Sequence, residues 1–158
     1  MALRFWFGAS GSGKTTLAFA LTGLNKYQGN VLLEGVNIKN FKQRDLRKKI
    51  QIVFQDPYNS LNPRMTVADI IGEGIRVHFK KLDSESYLDK IKKVLHEVGL
   101  KDDALYKYPH EFSGGQRQRI AIARALAVEP EILILDDSLS AVDAKTEHAI
   151  IENLKETR

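Results

Sequence analysis

Apolar residues recur along the chain with two different periods. Between Ser84 and Gly99, the residues Leu88, Ile91, Leu95 and Val98 fall three, four and three positions apart. That is the stripe of an amphipathic helix, which Gly99 ends. From Ile120 to Val128 the chain is apolar almost all round, so the helix opening at "FSGGQRQR" is expected to be buried. Ile132–Leu135 is an unbroken apolar run, a buried strand that ends on two carboxylates, Asp136 and Asp137. "IQIVFQD" reads as a second strand, and "LRFWFG" as an aromatic one entering a glycine-rich turn at Gly8. "GKTTLAFALTG" predicts a buried helix closed by Gly23, "GNVLLEGVNI" a hairpin about Glu34-Gly35, and "FKQRDLRKKI" a polar helix. "PYNSLNPRMT", with two prolines and two asparagines, is expected to be loop, and a last amphipathic helix to run from about Ala144 to the end. Strands alternating with helices argue for an α/β layered fold with a parallel sheet.

Composition narrows this little but usefully. A chain of 158 residues is long enough for one domain with a substantial core. Hydrophobic residues at 43% and charged ones at 28% are the balance of a soluble globular protein. No apolar run approaches the ~18 residues of a membrane-crossing helix, and no secretory leader pattern opens the sequence, so a cytoplasmic protein is expected. With no cysteine, disulfides and thiolate metal sites are excluded. The net charge of +4 is modest, and the densest basic cluster, "RDLRKK", sits inside a predicted helix. Nucleic-acid binding is therefore not expected.

The candidate chemistry lies at three places. "GASGSGKTT" fits G-x-x-x-x-G-K-[ST] through Gly8, Gly13, Lys14 and Thr15. Glycines let backbone N–H groups turn inward onto phosphate oxygens, and the helix N-terminus adds its positive end. Lys14 would neutralise β/γ charge and the Thr15 hydroxyl would reach Mg²⁺. A strand before and a helix after favour this over a loop that merely caps a helix. Cofactor contacts are thus expected from Ser10, Gly11, Ser12, Gly13, Lys14, Thr15 and Thr16. Asp136, at the end of a buried strand, suits the second Mg²⁺ anchor that such a loop needs. In "FSGGQ", Ser113 and Gln116 satisfy a capping-box pattern, and two glycines in the first turn leave N–H groups open to an anion.

Taken together and in order, "GASGSGKTT", "VFQD", "FSGGQ", "LILDD" and "SAVD" closely resemble the nucleotide-binding domain of ABC ATPases. The resemblance covers nearly the whole chain. It implies a P-loop NTPase-type parallel sheet flanked by helices, with an inserted helical subdomain. Residues 1–158 would form one domain, with about 1–56 and 129–158 as P-loop core and about 57–128 as helical subdomain and signature helix. The cofactors implied are ATP and Mg²⁺, with Thr15, Gln55 and Asp136 around the metal. Gln55 corresponds to the glutamine that touches Mg²⁺ and the attacking water. Ser113, Gly115 and Gln116 correspond to the signature that contacts the γ-phosphate held by the opposite subunit of a head-to-tail dimer, and Asp143 to the aspartate at that seam. Asp137 falls where the family's catalytic glutamate polarises water, so Asp137, Gln55 and Lys14 form the expected catalytic set. The partners implied are a second nucleotide-binding domain and a transmembrane transporter subunit, the latter docking on "PYNSLNPRMT" and the helices that follow.

Three departures from the pattern shape the functional expectation. Asp137 replaces Glu, which retracts the carboxylate by about one C–C bond, ~1.5 Å; a misplacement of ~1 Å costs on the order of 100-fold in rate. The family's switch histidine belongs on a strand beyond the final helix, whereas His78, His96, His110 and His148 fall in or beside helical segments before it and are read as solvent-facing. Only seven residues precede Gly8, so the adenine-stacking aromatic has no counterpart, and Phe5 and Trp6 are read as core. "QDPYNSLNPRMTV" looks like the peptide-importer branch and "LDDSLSAVDAKT" like the exporter branch, which suggests a mosaic trimmed at both ends. Weak or partner-dependent ATP hydrolysis is expected; the alternative is a designed or chimeric minimal ATP-binding scaffold without significant turnover. With no strand between them, residues 3–7 are expected to pair directly with residues 132–136, since a vacant slot would leave backbone groups unpaired in the core.

Overall fold

The structure, a computed structural model, describes residues 4–6, 13–54, 56, 60–135, 148, 149 and 152, without the side chains of residues 4–6 and 14. Three short runs of β-formers meet in a parallel sheet: β1 (Arg4–Trp6), β4 (Ile50–Val53) and β5 (Ile132–Leu135). The order is β1-β5-β4, with β5 in the middle. Arg4 pairs with Ile132 and Trp6 with Ile134 on one side, and Ile50 with Ile132 and Val53 with Leu135 on the other. The direct pairing expected between the first strand and the doubled-carboxylate strand is therefore observed over the described residues.

Alternation along β5 divides the core. Leu133 and Leu135 belong to a large apolar cluster, while Ile134 belongs to a smaller one on the other face. The smaller cluster joins Ile134 and Ile50 to Ala18 of α1 (Lys14–Leu21) and Leu46 of α2 (Gln43–Lys49). Helix α1 is less buried than its sequence suggests. Ala18 and Ala20 are covered, but Thr15, Thr16 and Leu17 are exposed, because only one face of the helix meets the sheet. Between α1 and α2 lies the expected hairpin, β2 (Leu32–Leu33) antiparallel to β3 (Val36–Asn37). Its two-residue turn, Glu34 at φ 52° and Gly35 at φ 79°, has the left-handed backbone of tight hairpins.

The large cluster is built by three helices: α3 (Val67–His78), α4 (Ser84–Glu97) and α5 (Gly114–Leu126). Helix α4 follows its stripe and closes at Gly99, which has φ 72°. Helix α5 buries Ile120, Ala121, Ile122, Ala123, Ala125 and Leu126, as its uniform apolarity requires. Helix α3 was not anticipated from the pattern, although Val67, Ile70, Ile71 and Ile75 line its buried face and Thr66 caps it by accepting from Asp69 N at 3.2 Å. Its interior Gly72 is sterically required: a Cβ there would sit 1.8 Å from Tyr87 Oη of α4. Ser60 has helical backbone, a correction to the expectation that residues 57–66 are loop throughout. The inward packing of the neighbouring Leu61, 4% exposed, draws this stretch onto the core. Of the last expected helix, residues 148, 149 and 152 are helical, with His148 and Glu152 paired at 3.1 Å one turn apart.

Candidate functional site

Because β1, β4 and β5 are parallel, their carboxyl ends share one edge of the sheet. Trp6, Ile52 and Ile134 stand at one level of the ladder, so the chain leaves the same edge three times. It runs on from β1 into the glycine-rich loop, from β4 towards residue 55, and from β5 into residues 136 and 137. The carboxyl edge of a parallel α/β sheet is where such folds hold ligands. Ser10, Gly11, Ser12, Gln55, Asp136, Asp137 and Asp143 lie outside the described residues, as does the side chain of Lys14.

Where the loop re-enters the description, Gly13 takes the left-handed conformation, φ 80° and ψ 11°, and stands at the N-cap of α1. No side chain caps this helix, and its first turn carries no acid. The other long helices differ: Thr66, Asp83 and Ser113 each accept from the backbone at the starts of α3, α4 and α5. An uncapped start directs its first N–H groups and the positive end of the helix dipole outward, which suits phosphate and not a cation. Thr15 and Thr16 lie exposed in the same turn.

A second helix start has the opposite local design. Ser113 Oγ accepts from Gln116 N at 3.3 Å, and Gln116 Oε1 accepts from Ser113 N at 3.0 Å. The capping box read from the sequence is therefore formed. Gly114 and Gly115 occupy the first two helical positions, whose N–H groups have no acceptor inside a helix. A Cβ at Gly114 would meet nothing within 4 Å, so this turn can be approached closely. The lead-in is rigid: Glu111 Oε2 accepts from Tyr108 N at 2.7 Å, and Arg117 Nε donates to Phe112 O at 3.0 Å.

Two side chains of α5 were missed by sequence reasoning. Gln118 is fully buried and donates through Nε2 to Phe54 O at 3.2 Å, and Arg124 Nη1 donates to Ser60 O at 2.6 Å. Their only signal was polarity within an apolar helix. Burial pulls the Arg124 guanidinium below its ordinary pKa, and the charge of Glu73 opposes that. Among the histidines, His96 is exposed and bonded to Asp102 at 2.6 Å, and His110 and His148 are exposed. His78 corrects the solvent-facing reading: it is half-buried at the end of α3, and burial, then Arg44 and Lys48, hold its pKa below 6.5.

A sequence model of the family described as ABC transporter matches residues 3–140. The chain belongs to this family. Among curated relatives, this ABC transporter chain is 45% identical over 154 residues to the oligopeptide transport ATP-binding protein OppF of Bacillus subtilis, covering 94% of the chain and 50% of that protein. It is 47% identical over 151 residues to an uncharacterized ABC transporter ATP-binding protein, YejF, of Escherichia coli, covering 94% of the chain and 28% of that protein. The chain thus spans half or less of the length of these relatives. Among solved structures, a dimeric post-hydrolysis state of the ATP-binding cassette MJ0796 bound to ADP and Pi matches with TM-score 0.80 at 30% identity, covering 98% of this chain and 67% of that one. The fold is accordingly that of the ABC ATPase cassettes, a P-loop NTPase-type parallel sheet with flanking helices. Among the described residues, no helix is long and apolar enough to cross a membrane.

Proposed function

We propose that the chain is a Mg-ATP-binding ATPase domain that powers membrane transport as one half of a cassette dimer. One observation carries this reading: three parallel strands deliver the glycine-rich loop, residue 55 and the doubled carboxylates to a single sheet edge, beside a helix start without a cap. In this reading Ser10, Gly11, Ser12 and Gly13 wrap the phosphates with backbone N–H groups. Lys14 lies against the β/γ oxygens, and Thr15, Gln55 and Asp136 hold Mg²⁺. The metal supplies positive charge against the phosphate oxygens. Asp137 takes the proton of the attacking water, with the shortened reach of an aspartate. Ser113, Gly115 and Gln116 serve the nucleotide of the second copy, their turn open at Gly114. The names of the relatives, oligopeptide transport ATP-binding proteins, support import of peptides or related compounds through a transmembrane partner at the inner face of the membrane. Residues 57–66 and the helices after them would form the docking face.

The test is an ATP titration of the chain and of Lys14→Ala. Loss of the lysine leaves triphosphate charge unneutralised, so affinity should fall by at least about tenfold, the effect of ~1.4 kcal/mol from one charge-assisted contact. Equal affinities would refute the reading. A second reading, nucleotide binding without turnover, is favoured by Asp137 standing where the pattern has glutamate. Phosphate release measured at saturating ATP separates the two.

A further inference from the structure

Helix α5 grips the chain after β4 at two points. Gln118 Nε2 holds the carbonyl of Phe54 at 3.2 Å, and Arg124 Nη1 holds that of Ser60 at 2.6 Å. Both bonds cross the same separation of 64 residues, so the two grips are in register. On the helix they stand roughly 9 Å apart, six residues at ~1.5 Å each. Between the gripped carbonyls lies Gln55. The N-terminal turn of the gripping helix is the Ser113–Gln116 capping box.

Gln118 is an unusual choice for its position. Its side chain is 0% exposed, and its Oε1 has no hydrogen-bond partner among the described residues. A buried acceptor left unmade carries a desolvation cost that a methionine of similar shape would not. One donated bond to a carbonyl does not turn this into a design for stability. Arg124 is likewise sunk far enough for burial to lower its pKa. Two polar side chains inside an otherwise apolar helix thus both spend their donors on one neighbouring segment.

We propose that Gln118 and Arg124 are positioning residues for Gln55, fixing the 54–60 segment to the same helix that presents the Ser113–Gln116 turn. One rigid element then sets both places, and the approach of nucleotide to the glycine turn is registered at Gln55 through the helix body. The inference rests on the reading of Gln55 as a residue that reaches Mg²⁺-nucleotide.

The test uses the whole chain with Gln118→Met, Arg124→Lys and Gln55→Ala. Three measurements are made: thermal midpoint, affinity for a fluorescent ATP analogue with and without Mg²⁺, and amide hydrogen exchange. In Gln118→Met, exchange across residues 55–60 should quicken roughly 3- to 10-fold, the effect of one lost hydrogen bond. The gain in nucleotide affinity that Mg²⁺ gives should shrink by about the same factor, with metal-free affinity and thermal midpoint unchanged. Arg124→Lys keeps a charged donor and should stay near wild type in all three. If Gln118→Met does not fold, Gln118→Asn carries the same test, since it keeps the amide and retracts it by one methylene. If Gln55→Ala loses the Mg²⁺ gain and the Gln118 variants do not, the inference is overturned and the reading of Gln55 stands. If Gln55→Ala keeps the gain, that reading falls and takes the inference with it. A lowered midpoint with metal-free affinity lost as well would make Gln118 merely structural and overturn the proposal.

Discussion

Gly72 tests the packing of the helical layer most sharply. In Gly72→Ala the new Cβ would lie 1.8 Å from Tyr87 Oη, 2.7 Å from Cζ and 3.2 Å from Ile91 Cδ1. The tyrosine cannot yield freely, because Arg76 Nη1 donates to its hydroxyl at 2.5 Å and the guanidinium carbon stands 5.9 Å from the ring centre. Overpacking of this kind costs ~1–3 kcal/mol. Alanine in a helix interior recovers ~1 kcal/mol relative to glycine. The net loss is therefore about 1 kcal/mol, a fall in thermal midpoint of roughly 2–4 °C for a chain of this size. In a Tyr87→Ala background the obstruction is gone, and only the propensity term survives. There Gly72→Ala should stabilise by ~0.5–1 kcal/mol. Urea and thermal unfolding of the four members of this cycle give the answer. The same sign of effect in both backgrounds would refute the packing argument.

Asp137→Glu should raise phosphate release, by up to about 100-fold if reach alone limits the base, and Asp137→Asn should lower it; equal rates in all three would show that this carboxylate does not limit turnover. Ser113→Ala should lower stability by ~1 kcal/mol through loss of the cap, and Ser113→Gly by only a few tenths. Both should weaken ATP-dependent self-association in analytical sedimentation, because both lack the hydroxyl. Acidification should destabilise the chain through His78. Its pKa is held below 6.5 in the fold, so the unfolded state takes up the proton first. Stability is thus complete above pH 6.5 and is lost as pH falls through the folded value. His78→Gln should flatten that limb of a thermal-midpoint profile against pH.

The readings that held were those whose physics closes within a few residues. Ser113 and Gln116 are three apart, so their reciprocal hydrogen bonds need only the helix they begin. The stripe from Leu88 to Val98 needs only the 3.6-residue turn, and the Glu34-Gly35 hairpin only a backbone that tolerates positive φ. The motifs were legible for the same reason, since a phosphate loop is a local arrangement of N–H groups. Tertiary structure decided everything that depends on who the neighbour is. The exposed face of α1 follows from a sheet that covers it on one side only, and no periodicity announces that. His78 is half-buried because Arg44 and Lys48 of another helix stand near it, and those same cations disfavour its proton. Gly72 looks like a weak point in α3 until Tyr87, fifteen residues on, occupies the space a side chain would need. The pairing of Arg4 with Ile132 closes a loop of more than a hundred residues. The two grips of α5 on the segment holding Gln55 each join groups 64 residues apart. A contact across such a span is selected by the packing of the whole core, where each strand and helix takes the place its neighbours leave, and a local window of sequence does not contain those neighbours.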